Sequence, residues 1–277
     1  MTRLIFTLIV FFSYPALAYS SVLNQQHDFT LQYGVYGGGF QALSISIHFE
    51  FTGKTYCTTM NAKPYGVLGP LLPWAGWYTT TGHIRNKTLI PQSHEKQSAW
   101  RDDKSHLRVT YDAMGKLIRQ ERDERENGKT HTSVEKIDPT FHKDTIDILT
   151  SVLNMLAKGS DLNNCNNRDS VYDGKRRFDM VFTDKGTDTL QKTKYNIAQG
   201  TVRKCQLELK PLAGFTGKPR GFYKIQEQGR ALGQLPLVWI APMWQNGPMA
   251  PVKLMLKSDY GAVFVHVQGV KRKLNEN

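Results

Sequence analysis

Apolar and polar positions alternate along most of this chain, and the alternation predicts strands. Phe29, Leu31, Tyr33 and Val35 recur at every second position, and Gly37-Gly38-Gly39 supplies a turn. Leu43, Ile45, Ile47, Phe49 and Phe51 then share one face, with Ser44, Ser46, His48 and Glu50 on the other. Period two of this kind marks a half-buried antiparallel hairpin. Leu107, Val109 and Tyr111 repeat the pattern before a turn around Asp112 to Gly115. The charged stretch that follows to Lys136, with Asn127-Gly128 as its turn, is expected to form solvated strands at the margin of the sheet. Asp173-Gly174 suits a type I′ hairpin turn. Beyond it Phe178, Met180 and Phe182 share a face, as do Cys205, Leu207 and Leu209, which points Cys205 into the core. Val252, Leu254 and Leu256 alternate with lysines, and Val263, Val265 and Val267 make a last strand.

One segment changes period. Ile148, Leu149, Val152, Leu153 and Leu156 fall at spacings of three and four after Asp144, a residue type that caps helices, and before Gly159. Asp138-Pro139 marks the break ahead of it. The pattern predicts a mainly β protein with one amphipathic helix, about residues 144–158, covering an open face or plugging the mouth of a curled sheet. No repeat or linker interrupts residues 19–277, which are expected to form a single β-rich domain.

The first eighteen residues have a different logic. Met1 to Arg3 are a short positive start, Leu4 to Phe12 an apolar run, and Pro15 precedes Ala16-Leu17-Ala18. That is the order of a secretory signal peptide, with cleavage expected after Ala18. The run is shorter than the roughly 20 residues of a permanent membrane helix. No cysteine follows the cleavage point, so no lipid anchor is expected there. The protein is therefore expected in the periplasm, with peripheral membrane contact at most. The closing Lys271-Arg272-Lys273-Leu274-Asn275-Glu276-Asn277 lacks the aromatic end typical of outer-membrane barrel strands.

Composition sharpens this picture. A hydrophobic share of 40% and a mean hydropathy of −0.44 fit a globular chain that can bury a core. The formal charge of +12 suits phospholipid headgroups, lipopolysaccharide or acidic glycans in an exported protein, not nucleic acid. Each Lys or Arg near an anionic membrane contributes about 1 kcal/mol; the plainer reading is that the charge maintains solubility. Of Cys57, Cys165 and Cys205, two can pair in an oxidising compartment and one is left over. Cys57, in an alternating stretch, reads as a small buried residue.

Catalytic signatures are missing. The eight histidines show no metal-binding spacing, no nucleophile elbow or phosphate-binding loop occurs, and the carboxylates between Glu95 and Glu135 are interleaved with basic residues as surface ion pairs would be. No catalytic residue, metal or cofactor is nominated. Two uncharged stretches suggest binding. Pro64 to Tyr78 carries Trp74 and Trp77, and Leu232 to Pro251 carries Trp239, Met243 and Trp244. Such segments line adaptable apolar pockets, or else belong to the core. Between them, residues 201–230 are basic, with Lys218 and Arg220 in a Gly-rich loop.

The second half of the chain carries a more specific pattern. Cys165, Val171-Tyr172-Asp173-Gly174-Lys175-Arg176-Arg177-Phe178, Cys205 and Leu212-Ala213-Gly214-Phe215 occur in that order, followed by Trp239-Ile240-Ala241-Pro242 and Ala250-Pro251-Val252-Lys253. Tyr33-Gly34-Val35-Tyr36-Gly37-Gly38, Gly82 and Asp138-Pro139 extend it more loosely into the first half. The set resembles domain-of-unknown-function family 3108. The resemblance implies an exported bacterial protein without an established reaction, built as a strongly curved antiparallel sheet or open half-barrel similar to lipid-handling carriers. It also implies a Cys165–Cys205 disulfide with Cys57 free. Gly174 meets the turn's need for positive φ, and Arg176 and Arg177 are expected on the exposed face, as solvated side chains or as binding residues.

These readings lead to a non-catalytic envelope protein that holds a lipid or other amphiphile. Trp74, Trp77, Trp239 and Trp244 are expected to line its cavity, and Lys218, Arg220, Arg176 and Arg177 to meet a charged end. The alternative is an interaction module for another envelope protein or the cell-wall polymer, with an enzyme whose site is assembled only by folding as a third reading. Oligomeric state is not legible.

Overall fold

The computed structural model describes residues 26–86, 88–126, 129–135, 137–158, 162–219 and 221–273. The leader 1–18, the Asn127-Gly128 turn, Gly159 and Arg220 lie outside the described residues.

The alternating segments form one antiparallel sheet of fourteen strands that is not closed into a barrel. The first meander runs through β1 (Gln26–Gly37), β2 (Phe40–Thr52), β3 (Thr55–Pro64), β4 (Trp74–Arg85), β5 (Thr88–Trp100), β6 (Asp103–Tyr111), β7 (Leu117–Glu126) and β8 (Lys129–Val134). The second runs through β9 (Asn167–Tyr172), β10 (Arg177–Leu190), β11 (Gly200–Ala213), β12 (Leu237–Pro242), β13 (Met249–Ser258) and β14 (Gly261–Arg272). They join where β1 pairs with β14, so β8 and β9 are the two sheet edges. As the charge pattern predicts, β7 and β8 lie at the margin, and β8 is exposed along its whole length.

The sheet curls until the β9–β10 hairpin meets the inner face of β6 and β7. Gly174 sets how close it comes. Its φ is +88°, and a Cβ there would sit 2.0 Å from Leu107 Cδ2. Gln120 Nε2 donates to the Gly174 carbonyl at 3.1 Å. Only glycine satisfies both the backbone and the approach. The turn is not type I′, because Gly174 alone has positive φ, at the first central position between Asp173 and Arg176, whose N–H and C=O bond at 3.1 Å. Asp173 closes the turn with its side chain, accepting from the Lys175 and Arg176 N–H groups at 3.0 and 2.7 Å.

Among the described residues four helices interrupt the strands: α1 (Leu68–Leu71), α2 (Pro139–His142), α3 (Ile148–Lys158) and α4 (Gly221–Ala231). None of the described helices is long and apolar enough to cross a membrane. α3 is the helix its periodicity predicts, but it starts later than Asp144. Asp147 caps it, accepting from Thr150 N at 3.0 Å and from Thr150 Oγ1 at 2.6 Å. Asp144 instead has φ +54° and lies in the turn before. The periodicity predicts one helix and a Gly-rich loop around Lys218 and Arg220; α4 is a second, amphipathic helix that follows that loop. Its buried positions are Gln226 and Gly229, so the apolar stripe that would announce it is interrupted. Gln226 bonds both the N–H and the C=O of Leu209, at 2.7 and 2.9 Å, which fixes α4 to β11.

Cys165 and Cys205 form a disulfide with Cα atoms 6.2 Å apart, inside the range such a bond requires. Both are fully buried in the main core. Cys57 is free but only half-buried. It lies on the outer face of β3, because Tyr56 and Thr58 take the inward positions.

Candidate functional site: an apolar cavity with a cationic annex

Inward positions of both meanders are aliphatic, aromatic or Met, and α3 fills only part of the space they enclose. Along α3, Leu153 and Leu156 turn toward Phe29, Phe49 and Phe51 in the main core and leave a gap of only about 20 Å³ between them. Ile148, Val152 and Met155 turn the other way and bound a cavity of about 410 Å³. Phe178, Met180 and Leu207 form its opposite wall, and Phe215, Phe222 and Tyr223 its cover at the start of α4. Its volume lies within the range of small-molecule sites, and apolar walls with few polar groups are typical of them.

Asp173 and Arg176 are the charged residues at this cavity, and both also border a second, polar pocket of about 170 Å³. Arg176 donates from Nε and Nη2 to Asp173 Oδ2 at 2.8 and 2.7 Å, and its guanidinium lies 5.2 Å from the Phe215 ring centre. Lys96, Arg122 and Lys175 complete the charged wall of the annex. Arg122 is paired with Glu135 at 2.8 Å. Lys96 and Lys175 have no carboxylate within ion-pair distance among the described residues. The apolar cavity and a pocket where cations outnumber carboxylates thus share Asp173 and Arg176 as a common border.

The expected site residues divide. Arg176 borders both pockets while its side chain stays 36% exposed. Arg177 is half-buried and donates to the Thr140 carbonyl at 2.8 Å, tying the sheet to α2. None of the four tryptophans lines the cavity. On β12 the inward place belongs to Val238, and Trp239 alternates to the other side, where Nε1 donates to Asp188 at 2.8 Å beneath Lys253. Trp244 packs edge-on against Phe29 under Arg272. Trp77 is exposed on the outer face of β4, in a polar groove with Gln97, His106 and Asp123. Trp74 is half-buried at the start of that strand and lies against Gly76. Lys218 is exposed in the loop before α4 and does not border the cavity. The other basic residues of 201–230 are largely neutralised, as by Arg203 with Asp184 and Arg230 with Glu208.

The polar wall missed by sequence reasoning comes from Lys96 and Arg122. They sit at inward positions of strands whose partners there are mixed, so no alternation marks them. Lys175 was visible beside Gly174, but only the curl carries that hairpin across to β6 and β7.

Next to the cavity, the N-terminus of α3 is anchored by buried polar groups. Thr80 Oγ1 donates to Asp147 Oδ1 at 2.8 Å and contacts His94 Nδ1 at 2.7 Å. Its single proton is thereby used, so Nδ1 of His94 carries the hydrogen of the second bond. Tyr56 bonds Thr150 at 2.8 Å. Burial works to raise the Asp147 pKa, but His94 and the hydrogen bonds from Thr150 outweigh it and hold the carboxyl below its usual range. These groups face one another and not the cavity, so they position α3. Among the described residues no group of three or more His, Cys, Asp or Glu side chains is placed to hold a metal ion.

Comparison with solved structures finds similarity to a beta-barrel-like protein of domain of unknown function DUF1849 from Brucella abortus. The TM-score is 0.45 and the identity 8%, over 89% of this chain and 98% of that one. No curated protein matches. The model of the family described as protein of unknown function, DUF3108, matches residues 28–268, and the chain belongs to that family.

Proposed function

We propose that this is an exported envelope protein that binds an amphiphile without transforming it. The apolar chain occupies the cavity beneath α4, and an anionic head, a phosphate or carboxylate, occupies the annex formed by Lys96, Arg122, Lys175 and Arg176. The observation that carries this reading is the junction of the two compartments at Asp173 and Arg176. A solid interior would have favoured the interaction module. Burying an acyl chain contributes about 0.8 kcal/mol per methylene, and a charge-assisted hydrogen bond to the head roughly 1.5–3 kcal/mol. Export rests on the leader sequence.

Native mass spectrometry of protein purified from its own periplasm tests the proposal, with the expected result a co-purifying lipid or fatty acid. A long-chain fatty acid should bind at least about tenfold more tightly than its methyl ester. Lys96→Gln with Lys175→Gln should remove that difference while leaving ester binding unchanged. Equal binding of acid and ester to the unaltered protein would remove the anionic head from the proposal. Failure of both to bind would remove the carrier itself.

A further inference from the structure

Antiparallel alternation places the β1–β2, β3–β4, β5–β6, β9–β10 and β13–β14 connections, and the β11–α4 loop, on one rim of the sheet. Most of the large exposed apolar residues lie there. Phe40 is 79% exposed, Val67 84%, Leu71 73% and Tyr260 91%, with Tyr65 and Trp100 beside them. Backbone bonds join neighbouring tips, as Tyr65 N donates to Ala42 O at 3.0 Å and Arg101 N to Pro73 O at 2.9 Å. The opposite rim carries fewer: Met114 on the β6–β7 turn with Ile118 close by, Val134 at the end of β8, and the less exposed Tyr195 and Ile197 in the β10–β11 loop.

Two further features matter at the first rim. Lys63, Lys175, Lys218, Lys224 and Lys257 are exposed on or beside it, against Asp102, Asp103 and Asp259 in its turns. The opposite rim is also basic, with exposed Lys54, Lys116, Lys192, Lys194, Lys271 and Lys273, so the apolar tips and not the charge set the two rims apart. The cavity also opens on the first rim, since Arg176, Phe215 and Phe222 all come from its connections.

We infer that this rim docks on an anionic lipid bilayer, inserting the tips of the β1–β2, β3–β4 and β13–β14 connections among the headgroups. Apolar tips of this size are unusual on a surface facing only water. Aromatic residues suit the headgroup layer, and lysines near an anionic surface each add about 1 kcal/mol. A second copy of this chain would bury the same tips but would bring the lysines of both copies together. A bilayer of anionic lipid complements apolar tips and lysines at once, and it places the cavity mouth at the source of an amphiphile. The inference goes beyond ligand binding, because docking needs no ligand in the cavity.

Co-sedimentation with vesicles tests it, using phosphatidylglycerol mixed with phosphatidylcholine and, in parallel, phosphatidylcholine alone. The protein should sediment with the mixed vesicles, more weakly with the neutral ones, and less as salt rises. Combining Phe40→Ser, Val67→Ser, Leu71→Ser and Tyr260→Ser should weaken association at least about 100-fold, with circular dichroism unchanged. Met114→Ser on the other rim should leave association as it was. Absence of vesicle binding by the unaltered protein, or an undiminished quadruple variant, would overturn the inference. So would a dimer in vesicle-free solution that the quadruple variant splits, since the tips would then be a self-association surface. Fatty-acid binding measured in the same samples separates this result from the carrier proposal: retained fatty-acid binding without vesicle binding refutes docking alone.

Discussion

At its first turn α3 is held by Thr80, His94 and Tyr56, all buried and joined through Asp147 and Thr150. One turn further on, Val152 of the same helix borders a void whose far wall is Phe178, Met180 and Leu207. One side of the interior joins Thr80, His94, Tyr56, Asp147 and Thr150 at fixed distances, although neighbouring Ser151 Oγ is buried without a hydrogen-bond partner among the described residues. The other leaves apolar atoms unpartnered across a gap. The apolar wall facing the open cavity forgoes the dispersion contacts that a filled core would give it, and the polar anchor and the disulfide hold the frame around it. The contrast teaches that α3 is positioned by its end and not by the packing of its whole length.

Removing the covalent tie should have the largest effect. Cys165→Ala with Cys205→Ala opens a link across 40 positions of sequence, and chemical denaturation should show a loss of about 4 kcal/mol. Asp147→Ala should follow, at about 3 kcal/mol, because His94, Thr80 and Thr150 lose their shared acceptor inside the protein. The folded Asp147 carboxyl has a depressed pKa, so its contribution is complete above the unfolded carboxylate value of about 3.9. It is lost as pH falls through the lower, folded value. Asp147→Asn should therefore flatten part of the acid limb of stability against pH, and an unchanged limb would refute the assignment.

Thr80→Val, which keeps shape and removes one hydroxyl, should cost about 1–2 kcal/mol. The smallest effect should come from the other side. Val152→Phe adds volume to a core residue, a change that ordinarily costs about 1–3 kcal/mol through overpacking. Facing the void, it should shift stability by less than about 1 kcal/mol while weakening fatty-acid binding. A large destabilisation would mean that the gap is not available to a ligand.

Much of the fold was legible because period-two alternation survives in nearly every strand. Phe29, Leu31, Phe178, Met180 and Phe182 are all buried as their spacing predicts. The site was less legible, for reasons that differ by residue. Aromatic richness drew attention to Trp74, Trp77, Trp239 and Trp244, but composition cannot say which side of a strand a bulge leaves inward. Between Trp239 and Ile240 the β12–β13 register shifts, and both residues are buried on opposite sides of the sheet's path. The lining is instead ordinary Ile, Leu, Val, Phe and Met, identical in sequence to core. What distinguishes a cavity from a core is the distance between walls, which belongs to the curl and to no local pattern. α4 escaped for a related reason, since Gln226 is buried for its hydrogen bonds and Gly229 for the space it leaves.

The seam between β1 and β14 has a kinetic consequence. Each meander can zip hairpin by hairpin, but within the sheet the two halves pair only through residues separated by more than two hundred positions, such as Tyr33 and Val267. During N-to-C synthesis or threading, one side of β1 stays open until the last strand arrives. Loop closure of that span must precede its reward, so this pairing should be the slow step of folding. Until then β1 is an unprotected template for misassembly. Reconnecting residue 273 to residue 26 and opening the chain between β8 and β9 would turn the seam into a local hairpin. Such a permutant should fold faster to the same sheet, with its most distant pairing removed.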